Sequence, residues 1–407
     1  MRILDLMLRR FIDVGSLEVT YPDGLRKTYG SAGEGPHAAM TIHTSDAERR
    51  LVLNPGLAFG EAYMDGAISP DGCDIYALLH VLMENAMAPS SGGSLIGERV
   101  ASSVRYLRRG WIQFNPEKRS RSNVAHHYDL DGRLYQLFLD RDRQYSCAYF
   151  QTGHETLDEA QETKKRHIAA KLKLDRPGLT VLDIGCGWGG MALTLARDYG
   201  ANVVGITLST EQLQTARARA AEAGLSDRVR FELLDYRLLR TRYDRIVSVG
   251  MFEHVGVGHY RTFFKKVRDS LKDDGVAVIH SIGRNDSPGT TNPWIDKYIF
   301  PGGYSPALSE TLAAIETTGL WVTDCEILRL HYAKTIEIWR ERFNARRVDA
   351  AALYDERFCR MFEFYLAGAE LSFRVQGHMN FQLQLTRAID ATPLTRDYMF
   401  EAEKRSS

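Results

Sequence analysis

The stretch from residue 157 to residue 282 alternates apolar, strand-like runs with helical segments, and this alternation constrains the fold more than any other feature. The strand-like run Leu179–Ile184 leads directly into the glycine loop GCGWGG, and the alternation continues to Val276–Ile282. Such a βα pattern is typical of a parallel sheet with helices on both faces. Ligands of these sheets bind at the carboxyl ends of the strands. We therefore predict a doubly wound α/β domain with its site at that edge.

A chain of 407 residues is long enough for two domains. The N-terminal region shows short β-like runs at Ser16–Tyr21, His37–Thr44 and Arg50–Leu53, and helical patterns at Ile75–Met87 and Leu95–Arg109. These patterns predict a smaller α+β domain over residues 1–120, followed by the larger domain over 121–407. After residue 306 the pattern is mainly helical, with a final strand predicted at His378–Ala388.

Composition excludes several classes of protein. Lysine plus arginine, 52, equals aspartate plus glutamate, 52, and this balance argues against a dedicated nucleic-acid-binding protein. Five widely spaced cysteines without a CxxC pair indicate a reduced, cytoplasmic protein. The apolar runs are too short for a membrane span, and the charges within MRILDLMLRRFI argue against a signal peptide.

Two segments are candidates for contact with a membrane surface. Leu4, Met7, Leu8 and Phe11 have helical spacing, which indicates an amphipathic helix that either packs on its own domain or lies on a bilayer. The segment 98–121 carries seven basic residues and two acidic ones, with aromatic residues between them. It is either a solvated linker or a surface for anionic headgroups.

The glycine loop suits two kinds of ligand. Its glycines allow a tight turn and close approach of the backbone, as in dinucleotide-binding loops. No lysine follows as in a phosphate-binding P-loop, and Asp183 precedes the loop, where it would repel a pyrophosphate. A carboxylate at this position favours a cationic ligand, and we predict S-adenosylmethionine over a dinucleotide.

Several motifs are spread over nearly the whole chain. They are VLDIGCGWGG (181–190), QYSCAYF (144–150), VVGITLSTEQ (203–212), DRIVSVGMFEHVG (244–256), HSIG (280–283), WIDKYIFPGG (294–303), HYAKT (331–335) and GLAFGEAYMDG (56–66). Together they closely resemble the cyclopropane-fatty-acyl-phospholipid and mycolic acid cyclopropane synthases. The resemblance implies a Rossmann-like class I methyltransferase sheet with added helices, and an N-terminal lipid-associated domain. It also implies transfer of a methylene from S-adenosylmethionine to a cis double bond of phospholipid acyl chains.

The resemblance further implies a bound bicarbonate ion that accepts the proton released in this reaction. Its binding residues would be Cys147, Glu253, His280, Ile282 and Tyr332. Taken singly, each of these side chains is more often a packing residue, a cap or a satisfied core residue. Cysteine, glutamate and histidine are also zinc ligands, but these three are not clustered in the sequence, and we predict no metal site.

The cofactor-binding residues implied by the resemblance lie on the strand ends and in the segment before the sheet. They are Tyr145, Ser146, Asp183, Gly185, Gly187, Thr207, Leu208, Gln212, Asp235 and Tyr236. Many methyltransferases place an acidic residue after the second strand to hold the ribose. This chain has Ile206, Thr207 and Leu208 there, so Thr207 and Gln212 would take that role.

Alternatives remain open for the activity. A C-methyltransferase acting on the same lipids would leave a methyl or methylene branch, because both reactions need a cation and a base. A non-catalytic lipid carrier is the alternative from another class. The expected partner is a phospholipid bilayer at the inner face of the membrane, and the resemblance leaves a homodimer open.

Overall fold

A computed structural model of the chain describes residues 2–31, 33, 35–87 and 132–405. These residues form two compact units. Within the described residues, the first draws on those up to residue 87, Thr290–Pro301 and Ala333–His378, and the second on 132–289, Gly302–Tyr332 and 379–405. The predicted domain boundary at residue 120, the helix Leu95–Arg109 and the basic segment 98–121 lie outside the described residues.

The first unit contains a four-stranded sheet with the order β2-β1-β3-β4. Its strands are β1 Ser16–Thr20, β2 Arg26–Gly30, β3 His37–Ile42 and β4 Ile68–Pro70. Strand β1 pairs antiparallel with β2 and parallel with β3, and β3 pairs antiparallel with β4. Its helices are Ile3–Phe11, Ser45–Leu53, Pro55–Met64, Ile75–Met87, Pro293–Tyr298, most of His331–Ala345, Arg347–Leu353 and Glu356–Arg374.

The strand-like reading of Arg50–Leu53 is wrong, because these residues end the helix Ser45–Leu53. The Thr44 side chain accepts a hydrogen bond from the backbone of Ala47 at 3.2 Å, which caps the amino end of this helix. Acidic residues in its first turn also favour a helix start. Capping in this case outweighs the short apolar run on which the strand prediction was based.

The core of the first unit joins segments that are far apart in the sequence. Leu4 and Leu8 of the N-terminal helix and Leu17 of β1 are buried in the same cluster as Ala367 and Leu371. The last two residues belong to the helix Glu356–Arg374. Folding of the N-terminal sheet therefore buries apolar surface that is supplied by a helix near the end of the chain.

The second unit contains a seven-stranded sheet with the order β10-β11-β9-β8-β5-β6-β7. Its strands are β5 Thr180–Ile184, β6 Asn202–Thr207, β7 Val229–Leu233, β8 Tyr243–Val249, β9 Leu271–Arg284, β10 Trp321–Leu328 and β11 His378–Thr386. Strands β5 to β9 pair in parallel, whereas β10 and β11 pair antiparallel. Its helices are Gly132–Phe138, Leu157–Lys171, Gly190–Tyr199, Thr210–Glu222, Tyr260–Ser270, Leu308–Glu316 and Asp397–Arg405.

Both faces of this sheet are covered. Val181 and Leu182 are neighbours on β5 but belong to two different hydrophobic clusters, and so do Val278 and Ile279 on β9. Because successive residues of a strand point to opposite faces, each cluster lies on one side of the sheet. The doubly wound α/β fold with a smaller N-terminal α+β unit is confirmed.

Strand β10 was not predicted, because its burial is partial and its sequence, WVTDCEIL, carries two acidic residues.

The sheet order places β5 between β6 on one side and β8 on the other. The chain adds β6 and β7 on one side of β5 and then β8 and β9 on the other, and this change of side opens a crevice at the carboxyl ends of β5 and β8. Among the described residues, no helix combines the length and the apolar character needed to cross a membrane.

Candidate functional site: a cofactor cavity beside a buried carboxylate cluster

The glycine loop turns sharply between β5 and the helix Gly190–Tyr199. Gly185, Gly187 and Gly189 have φ angles of 78°, 54° and 86°, in the left-handed region that favours glycine. The backbone N–H groups of Gly185 and Cys186 donate to the carbonyl oxygen of Ile206, at 2.9 and 3.0 Å. The loop is thereby tied to the end of β6, and its inner edge faces the crevice.

A cavity opens at this edge, and all ten residues that the sequence assigned to the cofactor line it. They are Tyr145, Ser146, Asp183, Gly185, Gly187, Thr207, Leu208, Gln212, Asp235 and Tyr236. The wall also contains Arg143, Gln144, Trp188, Met251 and His254, to which the sequence analysis gave no role. Arg143 and Gln144 directly precede Tyr145 in the sequence. Their adjacency to this predicted cofactor residue could have indicated that they also line the cavity.

Asp183 provides the negative charge of the cavity. It is buried, and its Oδ2 has no hydrogen-bond partner within the described part of the chain. Burial raises the pKa of Asp183 to about 7, and the positive charge of Lys164 opposes this rise. A buried carboxylate oxygen without a partner is costly unless a ligand pairs with it. The ammonium group of an amino-acid moiety fits this requirement.

The opposite part of the cavity offers polar groups instead of a free carboxylate. The hydroxyl of Thr207 donates to Gln212 Oε1 at 2.8 Å, and both side chains are buried. Both carboxylate oxygens of Asp235 accept hydrogen bonds from Arg237. The Thr207–Gln212 pair can exchange its hydrogen bond for ligand hydroxyls, whereas Asp235 is neutralised by its neighbour.

A buried lysine and a buried glutamine support the segment before the sheet. Gln161 Nε2 donates to the carbonyl oxygens of Gln144 and Ser146, at 3.2 and 2.9 Å. Lys164 Nζ donates to Gln144 Oε1 at 2.5 Å and to Ser146 Oγ at 2.9 Å. Both residues lie on the helix Leu157–Lys171, one turn apart, and sequence reasoning missed them.

Of the predicted anion-binding residues, Glu253 and Ile282 are in direct contact. The backbone N–H of Ile282 donates to Glu253 Oε1 at 2.6 Å. Glu253 Oε2 is buried and has no hydrogen-bond partner among the residues described. Burial raises the pKa of Glu253 to about 7, and hydrogen bonds from the backbone oppose this rise. Glu253 Oε2 is therefore a buried oxygen that can still accept a hydrogen bond, and it lies beside the end of β9.

His280 lies on the same strand and is held from both sides of its ring. Gln382 Nε2 lies 3.1 Å from its Nδ1, and Asn380 Nδ2 lies 3.4 Å from its Nε2. Burial lowers the pKa of His280 to about 3, so the imidazole is neutral. Its carbonyl oxygen accepts from the N–H of Gly250, a residue of the cavity wall, at 2.9 Å.

Cys147 and Tyr332 are both buried, and their positions are fixed through their neighbours in sequence. Cys147 directly follows Ser146 of the cavity wall. His331 Nδ1 accepts from the backbone N–H of Phe150 at 3.1 Å, which ties the HYAKT motif to the QYSCAYF segment. None of the five predicted anion-binding residues lines the cofactor cavity itself.

The family of the chain follows from comparison with known proteins. Residues 115–383 match the mycolic acid cyclopropane synthetase family. The chain belongs to this family. The resemblance drawn from the motifs is thereby confirmed. A second match, to a domain of unknown function, covers residues 3–91 of this synthetase-family chain.

Three curated relatives show how far the likeness extends. The cyclopropane-fatty-acyl-phospholipid synthase of Escherichia coli is 37% identical over 362 residues, 88% of this chain and 90% of that protein. A probable fatty acid methyltransferase of Pseudomonas putida is 43% identical over 63% of the chain and 68% of that protein. A tuberculostearic acid methyltransferase of Mycobacterium tuberculosis is 36% identical over 91% and 88%.

A solved structure gives the corresponding fold. Mycolic acid cyclopropane synthase CmaA1, in complex with SAH and CTAB, matches with a TM-score of 0.62 and 33% identity. The match covers 67% of this chain and 99% of CmaA1. This synthetase-family member therefore has a large region in addition to the part it shares with CmaA1.

Proposed function

We propose that this protein is a cyclopropane-fatty-acyl-phospholipid synthase. It transfers a methylene from S-adenosylmethionine to the cis double bond of an unsaturated phospholipid acyl chain. The observation that carries the proposal is the open, buried oxygen of Glu253. The cofactor cavity lies beside it, in contact with the strand that carries His280. A base close to the methyl donor is what ring closure requires after methyl transfer.

The cofactor supplies an electrophilic methyl group on a sulfonium. In this proposal Asp183 pairs with its ammonium group, while Tyr145 and Ser146 contact the methionine moiety. Gly185 and Gly187 let the backbone approach closely. The ribose hydroxyls and the adenine bind to Thr207, Leu208 and Gln212, with Asp235 and Tyr236 closing the base pocket.

The base in the proposed reaction is a bicarbonate ion. Glu253 would hold this ion by accepting from its hydroxyl at Oε2, the buried oxygen that has no partner among the described residues. The neutral His280, the hydroxyl of Tyr332 and the backbone N–H at Cys147 would supply donors to its remaining oxygens, while the N–H of Ile282 orients Glu253 through Oε1. Held by these residues, the ion would supply a weak base for the proton of the new methyl group without capturing the cation.

Dryness of this site is part of the proposed mechanism. An alkene is a weak nucleophile, so orientation of the double bond has to supply much of the acceleration. Glu253 and His280 are both almost fully buried, at 8% and 1% exposure. Exclusion of water protects the cationic intermediate of the lipid from hydration.

The proposed partner is a phospholipid bilayer, which the protein meets as a cytoplasmic, peripheral enzyme at the inner face of the membrane. Likeness to the Escherichia coli enzyme over 88% of this chain supports a lipid substrate. A homodimer stays a prediction of the sequence resemblance.

A second function is favoured by a specific observation. The tuberculostearic acid methyltransferase aligns with 91% of this chain, slightly more than the cyclopropane synthase of Escherichia coli does. The alternative is therefore a C-methyltransferase that leaves a methyl or methylene branch on the same acyl chains. It uses the same cofactor cavity and the same cation.

Incubation of the protein with S-adenosylmethionine and vesicles of monounsaturated phospholipid tests the proposal. We expect acyl chains heavier by one methylene, with the ring protons of a cyclopropane in the NMR spectrum. Vesicles of saturated phospholipid are the control. A branched product would establish the second function, and unchanged lipid with bound cofactor would refute both.

A further inference from the structure

Lys164 is a buried lysine that the proposed mechanism does not use. Its side chain is on the helix Leu157–Lys171 and is only 1% exposed. Lysines are almost never buried to this extent unless their charge is paired. Its Nζ donates to Gln144 Oε1 at 2.5 Å and to Ser146 Oγ at 2.9 Å, and both acceptors belong to the wall of the cofactor cavity.

The adjacent lysine has different partners. Lys165 Nζ pairs with Asp142 at 2.6 Å and with Glu162 at 2.8 Å, and Asp142 also pairs with Arg219. These contacts satisfy Lys165 away from the cavity wall. Lys164 contacts two neutral acceptors instead, so its charge remains available to act on the carboxyl groups around it.

Asp183 is one of these carboxyl groups. Among the described residues its Oδ2 has no partner, and burial favours its neutral form. Lys164 is the positive group that acts in the opposite direction. Although burial lowers the pKa of Lys164 to about 8, the lysine is still mostly protonated at pH 7.

Other titratable groups also act on this pair, from several elements. They are Asp140, Asp142, Cys147, Lys165, Cys186 and His280. Burial raises the pKa of the Cys186 thiol well above its ordinary value and lowers the pKa of His280 to about 3, so both are neutral near pH 7. The charge of Asp142 is paired with Lys165 and Arg219. Asp140 is the carboxyl group that acts most strongly on Lys164, and Lys164 is the cation that opposes the effect of burial on the pKa of Asp183.

We propose that Lys164 is a positioning residue for the cofactor. Its ammonium fixes Gln144 and Ser146 in the cavity wall, and its charge keeps Asp183 ionised so that this carboxylate can hold the ammonium of S-adenosylmethionine. The inference rests on the proposed use of that cofactor. It assigns no contact between Lys164 and the lipid.

The test measures binding of S-adenosylhomocysteine by titration calorimetry between pH 5.5 and 9. This range extends to both sides of the raised pKa of Asp183, about 7. Lys164→Gln keeps a hydrogen-bond donor but removes the charge, Lys164→Met removes both, and Lys164→Arg keeps the charge. Lys171→Met is the matched control, because Lys171 is equally buried on the same helix but pairs with Glu326.

Wild-type affinity is expected to rise with pH until Asp183 is ionised. In Lys164→Gln and Lys164→Met we expect a midpoint about one pH unit higher and therefore about fivefold weaker binding at pH 7. Lys164→Arg should keep the wild-type midpoint. Lys171→Met should also keep it, even if the control lowers the melting temperature.

An unchanged midpoint in Lys164→Gln would overturn the proposal, because it would show that the charge of Lys164 does not act on Asp183. An equal shift in Lys171→Met would overturn it as well. If Lys164→Met does not fold, the pH midpoint measured for Lys164→Gln still tests the proposal. The readout needs no lipid, so failure of lipid turnover would refute the proposed function without affecting this result.

Discussion

Two buried carboxyl groups, Asp183 and Glu253, determine what the site can do. Each has one oxygen without a partner among the described residues, and burial raises the pKa of each to about 7. Asp183 lines the cavity, where a cation fits. Glu253 lies outside that wall, next to Ile282, where a hydroxyl donor fits. In the proposed mechanism, Asp183 therefore serves cofactor binding and Glu253 serves proton removal.

Glu253→Gln is expected to spare the cofactor and abolish turnover. The amide keeps the size of the side chain but cannot accept at both of its terminal atoms, so the proposed anion loses its partner. We expect kcat to fall by about 10²–10⁴ while the Kd for S-adenosylhomocysteine changes by less than about twofold.

The matched control is Glu370→Gln, a buried glutamate of the first unit that pairs with Arg340 and Arg374. It should leave kcat unchanged apart from any loss of folded protein. Full activity of Glu253→Gln, measured on vesicles, would show that the anion-binding residues are misassigned.

Asp183 also predicts how stability without cofactor depends on pH. Its pKa in the folded state, about 7, is above its ordinary value of 3.8, so the native state holds this proton more tightly than the unfolded state. The free energy of unfolding therefore falls as pH rises from about 4 to 7, by up to about 1.4 kcal/mol per pH unit.

Asp183→Asn removes this contribution, whereas the contribution of Glu253, which has the same sign, remains. Urea denaturation at pH 5 and pH 7 measures the difference. The decrease between these two pH values should be smaller in Asp183→Asn than in the wild type. Equal decreases in both proteins would contradict the assignment of a raised pKa to Asp183.

At the scale of the elements, the loop between β5 and the helix Gly190–Tyr199 gives a matched pair of glycines. A Cβ at Gly185 would lie 2.8 Å from the side chain of Met251, whereas a Cβ at Gly187 would meet nothing within 4 Å. Both residues have positive φ, so both alanine variants carry backbone strain of about 1–2 kcal/mol.

Gly185→Ala is expected to lose more stability than Gly187→Ala, because the new methyl group also collides with Met251. Urea denaturation of both variants without cofactor checks the order, with Gly187→Ala as the control for strain alone. A smaller loss in Gly185→Ala would mean that Met251 moves away freely.

The parallel strands could be predicted from the sequence because they are continuous apolar runs between helical patterns. Asp183 could be singled out because it adjoins the glycine loop. Strand β10 could not be predicted from the sequence, since it is half-buried and contains acidic residues. The positions of Lys164 and Gln161 could not be predicted either, because their partners lie some twenty residues away and meet them only in the folded chain.

At the scale of the whole molecule, the first unit is not continuous in sequence. The helix Glu356–Arg374 contributes Ala367 and Leu371 to the core beneath the N-terminal sheet. The linear division at residue 120 could not anticipate this, because nothing in an apolar helical pattern says which sheet it will cover. The first 87 residues therefore depend on a segment almost 300 residues later.

Leu371→Ala is expected to destabilise the first unit selectively. The side chain is fully buried, so its truncation should cost about 2–5 kcal/mol. Hydrogen exchange should show lost protection in β1 and β3 and little change in β5 and β6. Leu383→Ala, equally buried but in the core of the second unit, should show the reverse pattern. Equal loss in both units after either substitution would argue against two cores.

Transfer of a deuterated methyl group tests the central claim most directly. Given S-adenosylmethionine with a CD₃ methyl and vesicles of a monounsaturated phospholipid, the protein should yield acyl chains that gain CD₂ and resist hydrogenation. That result requires loss of one deuteron from the new methyl to a nearby base and closure of a ring. Acyl chains that retain all three deuterons, or that still take up hydrogen after gaining CD₂, would contradict it.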